Sequence, residues 1–200
     1  MKMFSRYEVY TTTQSLYCYP ETNILKNKLN IRDYDTLKKA EEEITAVKQF
    51  VLLQEPIKGN FTKTHLFNIH KFIFEDIYPF AGKIRKEQIS KADTMFYPPD
   101  LIDRELDKVF AFVRTCGIFD NISEDDFFDK LAYIMAELNI IHPFREGNGR
   151  AIREFIRIIA LRGGYKINWG NVDKEELLNA SVLSVYDHSV LVPVIKKTSV

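Results

Sequence analysis

No uninterrupted apolar run in this chain approaches the roughly 20 residues that a membrane-spanning helix needs. The opening stretch, MKMFSRYEVYTTTQ, lacks the apolar core and small-residue cleavage site of a secretory signal. Cysteine is scarce: Cys18 and Cys116 lie far apart and show no metal-ligand spacing. That argues against a disulfide framework and for free thiols in a reducing cytoplasm. Histidine gives no metal site either. His65 and His70 are five apart, not the four that would set two ligands on one helical face. There is no excess of one charge, because 28 Lys and Arg balance 28 Asp and Glu. Broad nucleic-acid binding runs on unbalanced cations that release counterions, so direct nucleic-acid binding is not expected. Internal repeats, low-complexity tracts and linkers are also missing.

What is present suits one globular unit. The 200 residues are 46% apolar and 13% aromatic, enough to bury a real core. Residues 1–34, with Pro20 in their middle, read as an irregular segment packed on the body, with a short helical piece around Ile24–Leu29. From residue 35 to 200 the pattern is that of a single domain. Leu37, Ala40, Ile44, Val47 and Val51 recur at helical steps and predict a buried face. Pro56 ends that helix, and a second begins after Thr62. Residues 82–99 lose the helical period and read as a β-hairpin or extended flap. Helical spacing returns from Leu101 to Val113.

Ser123, followed by Glu124, Asp125 and Asp126, reads as the cap of a helix that ends at His142, before Pro143. Another helix spans about Asn148 to Arg162 and stops at Gly163-Gly164, and one or two more begin near Asp173. The fold class is therefore all-α with one small β element. The acidic run Glu41–Glu43 reads as a solvated face.

Chemistry concentrates in residues 142–153, HPFREGNGRAIR. Gly147 and Gly149 allow backbone conformations and close approach that side chains would block. The turn opens a helix whose first amides are unsatisfied and whose end is partially positive, which favours phosphate. Arg150 and Arg153 share a face of that helix, and two guanidinium forks beside an anion nest suit a polyphosphate. Glu146 at the mouth of the loop makes sense as a Mg²⁺ ligand, because Mg²⁺ takes one or two carboxylates together with phosphate oxygens. His142 can take a proton from an attacking hydroxyl. Each residue alone has an ordinary structural explanation; their joint occurrence within twelve residues points to a nucleotide-dependent transferase.

The segment resembles the Fic family signature, His-Pro-Phe-x-(Asp/Glu)-Gly-Asn-Gly-Arg-x-x-Arg, at every specified position. Residues 19–29 resemble the N-terminal stretch of short bacterial members, and Tyr78–Arg85 with Ile89-Ser-Lys91 resembles the family flap. The resemblance implies an all-α Fic fold with a β-hairpin over the active site. It implies AMP transfer from ATP to a Ser, Thr or Tyr hydroxyl of a protein, with release of pyrophosphate. In that reading His142 is the base, Glu146 holds Mg²⁺, and Gly147, Asn148 and Gly149 form the anion hole. Arg150 and Arg153 hold the β- and γ-phosphates, Phe144 anchors the loop, and the flap from Lys83 to Pro98 docks an extended target segment.

The phosphorylating branch of the family has Lys where this chain has Gly149, so AMP transfer is favoured over kinase chemistry. The alternatives are transfer of another phosphate-linked group (another nucleotide or phosphocholine) or a non-catalytic nucleotide-binding module. Leu177 or Leu178 falls where relatives often place Tyr in the adenine pocket, and Tyr165 and Trp169 read as core packing. The family's inhibitory pattern, Ser/Thr-x-x-x-Glu-Gly/Asn, is missing from all 200 residues. A chain without it is either unrestrained or inhibited in trans by a small antitoxin that supplies the helix. The expected setting is bacterial cytoplasm, with delivery into a host cell as an alternative. The Tyr cluster from Tyr7 to Tyr19 reads as packing.

Overall fold

The computed structural model describes residues 8–9, 15–91 and 94–200. Seven α-helices dominate it: α1 (Tyr34–Gln54), α2 (Lys63–Phe74), α3 (Pro99–Thr115), α4 (Glu124–Ile141), α5 (Asn148–Arg162), α6 (Lys174–Leu183) and α7 (Leu191–Thr198). One small antiparallel sheet joins β1 (Glu8–Val9), β2 (Ile89–Lys91) and β3 (Thr94–Met95) in that order. The all-α expectation holds. The flap is a hairpin of β2 and β3, with Ser90 opposite Met95, and β1 extends it into a third strand with Val9 opposite Ile89. Tyr7 and Tyr10 lie outside the described residues.

The helix ends follow local chemistry. Ser123 Oγ accepts the Asp126 amide at 3.1 Å, a cap worth about 1 kcal/mol. Asp33 and Asp173 cap α1 and α6 in the same way. Helix α4 packs against α3, α5 and α7, while α2 packs against α5. The core runs through Leu66, Ile69, Leu131, Leu138, Ile152 and Phe155, each with no exposed surface. Burial of such side chains contributes about 1.5–3 kcal/mol each. This packing holds the end of α4 and the start of α5 at fixed positions on either side of one short loop.

Two expectations need correction. No helix forms around Ile24–Leu29; residues 15–33 run as turns and bends with a bridge between Cys18 and Leu25. Asn27 explains this, since its amide donates to the carbonyls of Leu25 and Ile31 and its oxygen accepts the Ile31 amide at 2.9 Å. A side chain so used offers the backbone a stable alternative to helix. The second correction concerns α1. Its inward edge runs through Leu37, Glu41, Thr45 and Leu52, while Val47 stays 65% exposed and Phe50 64%. Of the expected face, Leu37 is buried and Ile44 packs on the core, while Val47 and Val51 do not. Glu41, read as solvated, has a side chain only 13% exposed, and its partners lie at the site described next.

Candidate active site

Helix α4 stops at His142, which takes a left-handed conformation with φ 49°. A non-glycine residue adopts that region only at a cost, so neighbours must hold it. Arg85 is one: its Nε donates to the His142 carbonyl at 2.8 Å, and its amide donates to the Pro143 carbonyl at 2.9 Å. The same guanidinium donates to the carbonyls of Glu87 at 2.8 Å and of Tyr97, the two roots of the flap. A single side chain, 1% exposed, thus ties the histidine backbone to both ends of the hairpin.

The imidazole of His142 stacks on Phe96 at 3.7 Å and 12°. Its Nδ1 lies 3.0 Å from the Asn139 carbonyl. A carbonyl only accepts, so Nδ1 carries the proton and Nε2 is the basic nitrogen. Burial pushes the pKa of His142 down to about 3, with Lys91 and Arg85 adding to the effect against the Asn139 hydrogen bond. The ring is neutral at pH 7, as a proton acceptor must be.

The loop is braced from within. The Asn148 side chain accepts the Phe144 amide at 2.8 Å and donates to the Phe144 carbonyl at 2.7 Å. Its polar atoms are committed to the loop, so its contribution to anion binding falls to its backbone. Phe144 is fully buried, stacked on His70 at 3.8 Å. His70 accepts the Gly82 amide on Nδ1 at 2.8 Å and donates from Nε2 to the Glu146 carbonyl at 2.8 Å. Burial lowers its pKa to about 4, so it is a neutral strut between the flap base and the loop. Gly147 caps α5 with φ 79°, and a Cβ there would lie 2.1 Å from Cζ of Phe74. No side chain caps α5, so its first-turn amides remain available to a ligand.

Glu146 accepts the Gly147 amide at 2.9 Å and lies 3.9 Å from Arg150. Burial and the nearby Glu41 carboxylate raise its pKa, against the pull of Arg150. A cation beside it relieves both effects. Among the described residues, no three metal-ligating side chains cluster. Glu146 thus stands as a carboxylate beside the start of α5, a donor set that would fit Mg²⁺ only with phosphate and water completing it.

His142, Gly149, Arg150 and Arg153 line one cavity of about 720 Å³, roofed by Lys91, Thr94 and Phe96 of the flap. Leu177 and Leu178 line its far wall together with Trp169, whose Nε1 donates to the Arg153 carbonyl at 3.1 Å. Residues 142–162 carry five arginines and two glutamates, but the excess is smaller in space than in sequence. Glu87 pairs with Arg145, Glu41 with Arg150 and Glu154 with Arg157. Sequence reasoning missed His70, Arg85, Phe96 and Glu41. For His70 there was a signal: it sits among Leu66, Ile69, Ile73 and Phe74 on the apolar face of α2, where a histidine must be hydrogen-bonded.

Fold and site define a class: helical domains that hold a phosphate-binding loop and a neutral histidine beneath a β flap. The Fic/DOC family matches residues 60–160, and the chain belongs to that family. It is 35% identical to protein adenylyltransferase VbhT of Bartonella schoenbuchensis over 91% of its length, spanning 38% of that relative. It is 32% identical to the probable protein adenylyltransferase Fic of Escherichia coli, covering 80% of this chain and 78% of that one. Among solved structures, an ADP-bound N-terminal Fic domain from Bartonella quintana superposes with a TM-score of 0.84. It shares 25% identity, over 92% of this chain and 94% of that one. Among the described residues, no helix is long and apolar enough to cross a membrane.

Proposed function

We propose that the chain is a protein adenylyltransferase, moving AMP from ATP to a Ser, Thr or Tyr hydroxyl and releasing pyrophosphate. The observation that carries this is the shared cavity of His142 and the uncapped start of α5, beneath the flap. In the step, Nε2 of His142 takes the hydroxyl proton while the hydroxyl oxygen attacks the α-phosphorus. The bond from the α-phosphorus to the bridging oxygen breaks, and pyrophosphate leaves with the electron pair. The incoming polyphosphate raises the basicity of His142, because negative charge favours imidazolium. Amides of Asn148 and Gly149 and the Arg153 guanidinium beside them cradle the phosphates, while the Gly147 amide is taken by Glu146 until that carboxylate turns to a cation. Glu146 would hold Mg²⁺, which supplies charge neutralisation on the phosphate chain when bound.

The relatives' names as adenylyltransferases and the ADP found in a neighbouring Fic structure support the reading. The target adds as a strand to the flap, Lys83 to Pro98. Because β1 occupies the outer edge of β2, the outer edge of β3 is the one such a strand would take. In bacterial cytoplasm such a chain would be either unrestrained or held in trans by a small antitoxin. Growth on expression of wild type and His142→Ala, with and without the neighbouring open reading frame, would test this, and equal, unimpaired growth of the two would argue against a toxin. A second reading is transfer of another nucleotide or of phosphocholine, favoured by the apolar wall at Leu177 and Leu178. Mass spectrometry of a bacterial lysate incubated with the chain, ATP and Mg²⁺ tests the proposal. Adenylyl increments on hydroxyl side chains that vanish in His142→Ala support it, and phosphoryl increments contradict it.

A further inference from the structure

Arg150 is held by side chains of α1 and α2. Its Nη2 pairs with Glu41 Oε1, its Nη1 donates to Thr45 Oγ1 at 3.0 Å, and its guanidinium lies 4.6 Å over the Phe74 ring. Glu146 Oε1 stands 3.9 Å from the same Nη2. The second oxygen of Glu41 accepts the hydroxyl of Tyr78, a side chain 2% exposed, so the carboxylate is gripped from both sides. Helix α1 gives up apolar burial for this arrangement: Val47, Phe50, Val51 and Leu53 stay 41–65% exposed while Glu41 and Thr45 turn inward. A guanidinium fixed in a planar fork and stacked on a ring is pre-organised, not free to follow a ligand. Arg153, one turn on, is placed differently. It lines the cavity, and the missing side chain of Gly149 leaves room for its Nη1, which a Cβ there would approach at 3.0 Å.

We propose that Glu41 is a positioning residue that commits Arg150 to orienting Glu146, so that the side-chain grip on the polyphosphate falls to Arg153. This deepens the adenylyltransferase reading and rests on it. Glu41 touches no substrate; it acts through Arg150 on the carboxylate at the loop mouth.

The test uses the full chain and four variants: Glu41→Gln, Glu41→Asp, Arg150→Met and Arg153→Met. Calorimetry with ADP in the presence of EDTA reads the phosphate grip without metal. Arg153→Met should weaken ADP about tenfold or more, the loss of a charge-assisted contact, while Glu41→Gln and Arg150→Met stay within about threefold. With Mg²⁺ and ATP, Glu41→Gln should lower kcat about tenfold at unchanged KM, and Glu41→Asp should recover part of it. If Arg150→Met weakens ADP as much as Arg153→Met, Arg150 is a phosphate ligand and the proposal fails. If Glu41→Gln tightens ADP about tenfold, Glu41 is a brake on Arg150 and the proposal also fails. Thermal unfolding of Glu41→Gln, Arg150→Met and the double variant reads the pair without nucleotide. Non-additive losses are expected, and additive ones overturn the pairing. Wild-type chain that binds no ADP while the losses stay non-additive would instead sink the nucleotide reading.

Discussion

Gly147 and Gly149 stand two residues apart and carry opposite kinds of necessity, so alanine at each should give opposite results. At Gly147 the backbone has φ 79°, and an added Cβ would sit 2.1 Å from the Phe74 ring. Left-handed geometry costs a residue with a Cβ about 1–2 kcal/mol. Forcing a methyl into a packed core costs about 1–3 kcal/mol more. Together these give about 2–5 kcal/mol, or roughly 10 °C in melting temperature for a chain of this size. Gly149 lies within the first turn of α5 with helical geometry, and its nearest obstacle is the flexible end of Arg153 at 3.0 Å. Alanine there gains up to about 1 kcal/mol of helix propensity. It also places a methyl where the backbone approaches phosphate and pushes the Arg153 fork aside. Gly149→Ala should melt at or above the wild-type temperature and bind ADP about tenfold or more weakly. Circular dichroism melts and ADP calorimetry on the two variants decide the matter. A Gly149→Ala protein that melts as low as Gly147→Ala, or that binds ADP like wild type, would refute the reasoning.

Asn148→Ala removes both hydrogen bonds to the buried Phe144 backbone and should cost about 2–4 kcal/mol in chemical denaturation, even without ligand. Acid should destabilise the fold through His70. Its folded pKa is about 4 against about 6.5 unfolded, so its contribution is complete above pH 6.5 and fades as pH falls through 4. At pH 5 the loss is about 2 kcal/mol, and His142 acts in the same direction; urea titrations at pH 7 and 5 on wild type and His70→Gln measure it. Arg85→Met should raise hydrogen exchange in residues 87–97 and leave α5 protected, because the guanidinium joins both flap roots to the His142 carbonyl.

The two loop-flanking helices were legible because their ends are written in local chemistry. Ser123 caps α4, Pro143 forbids its continuation, and the glycine loop opens α5. The motif residues were equally plain, since twelve consecutive positions carry them. What escaped was whatever depends on partners distant in sequence. Arg85 reaches His142 across 57 positions and Glu41 reaches Arg150 across 109. No periodicity reports such pairs. Part of the α1 face was misjudged for the same reason: Leu37 and Ile44 turn inward as the spacing predicts, but Glu41 and Thr45, with partners at Arg150 and Tyr78, take the place of Val47 and Val51. Likewise β1 joins the flap from a segment read as irregular, although the aromatic and β-branched residues of Tyr7 to Thr13 favour strand.

The central claim is that this cavity delivers the α-phosphate of ATP to a protein hydroxyl through His142. Parallel incubations with α-labelled and γ-labelled ATP, Mg²⁺ and a bacterial lysate test it most directly. Label from the α-position should appear on protein and disappear in His142→Ala, with none from the γ-position. Label transferred only from the γ-position, or α-label undiminished in His142→Ala, would contradict the account.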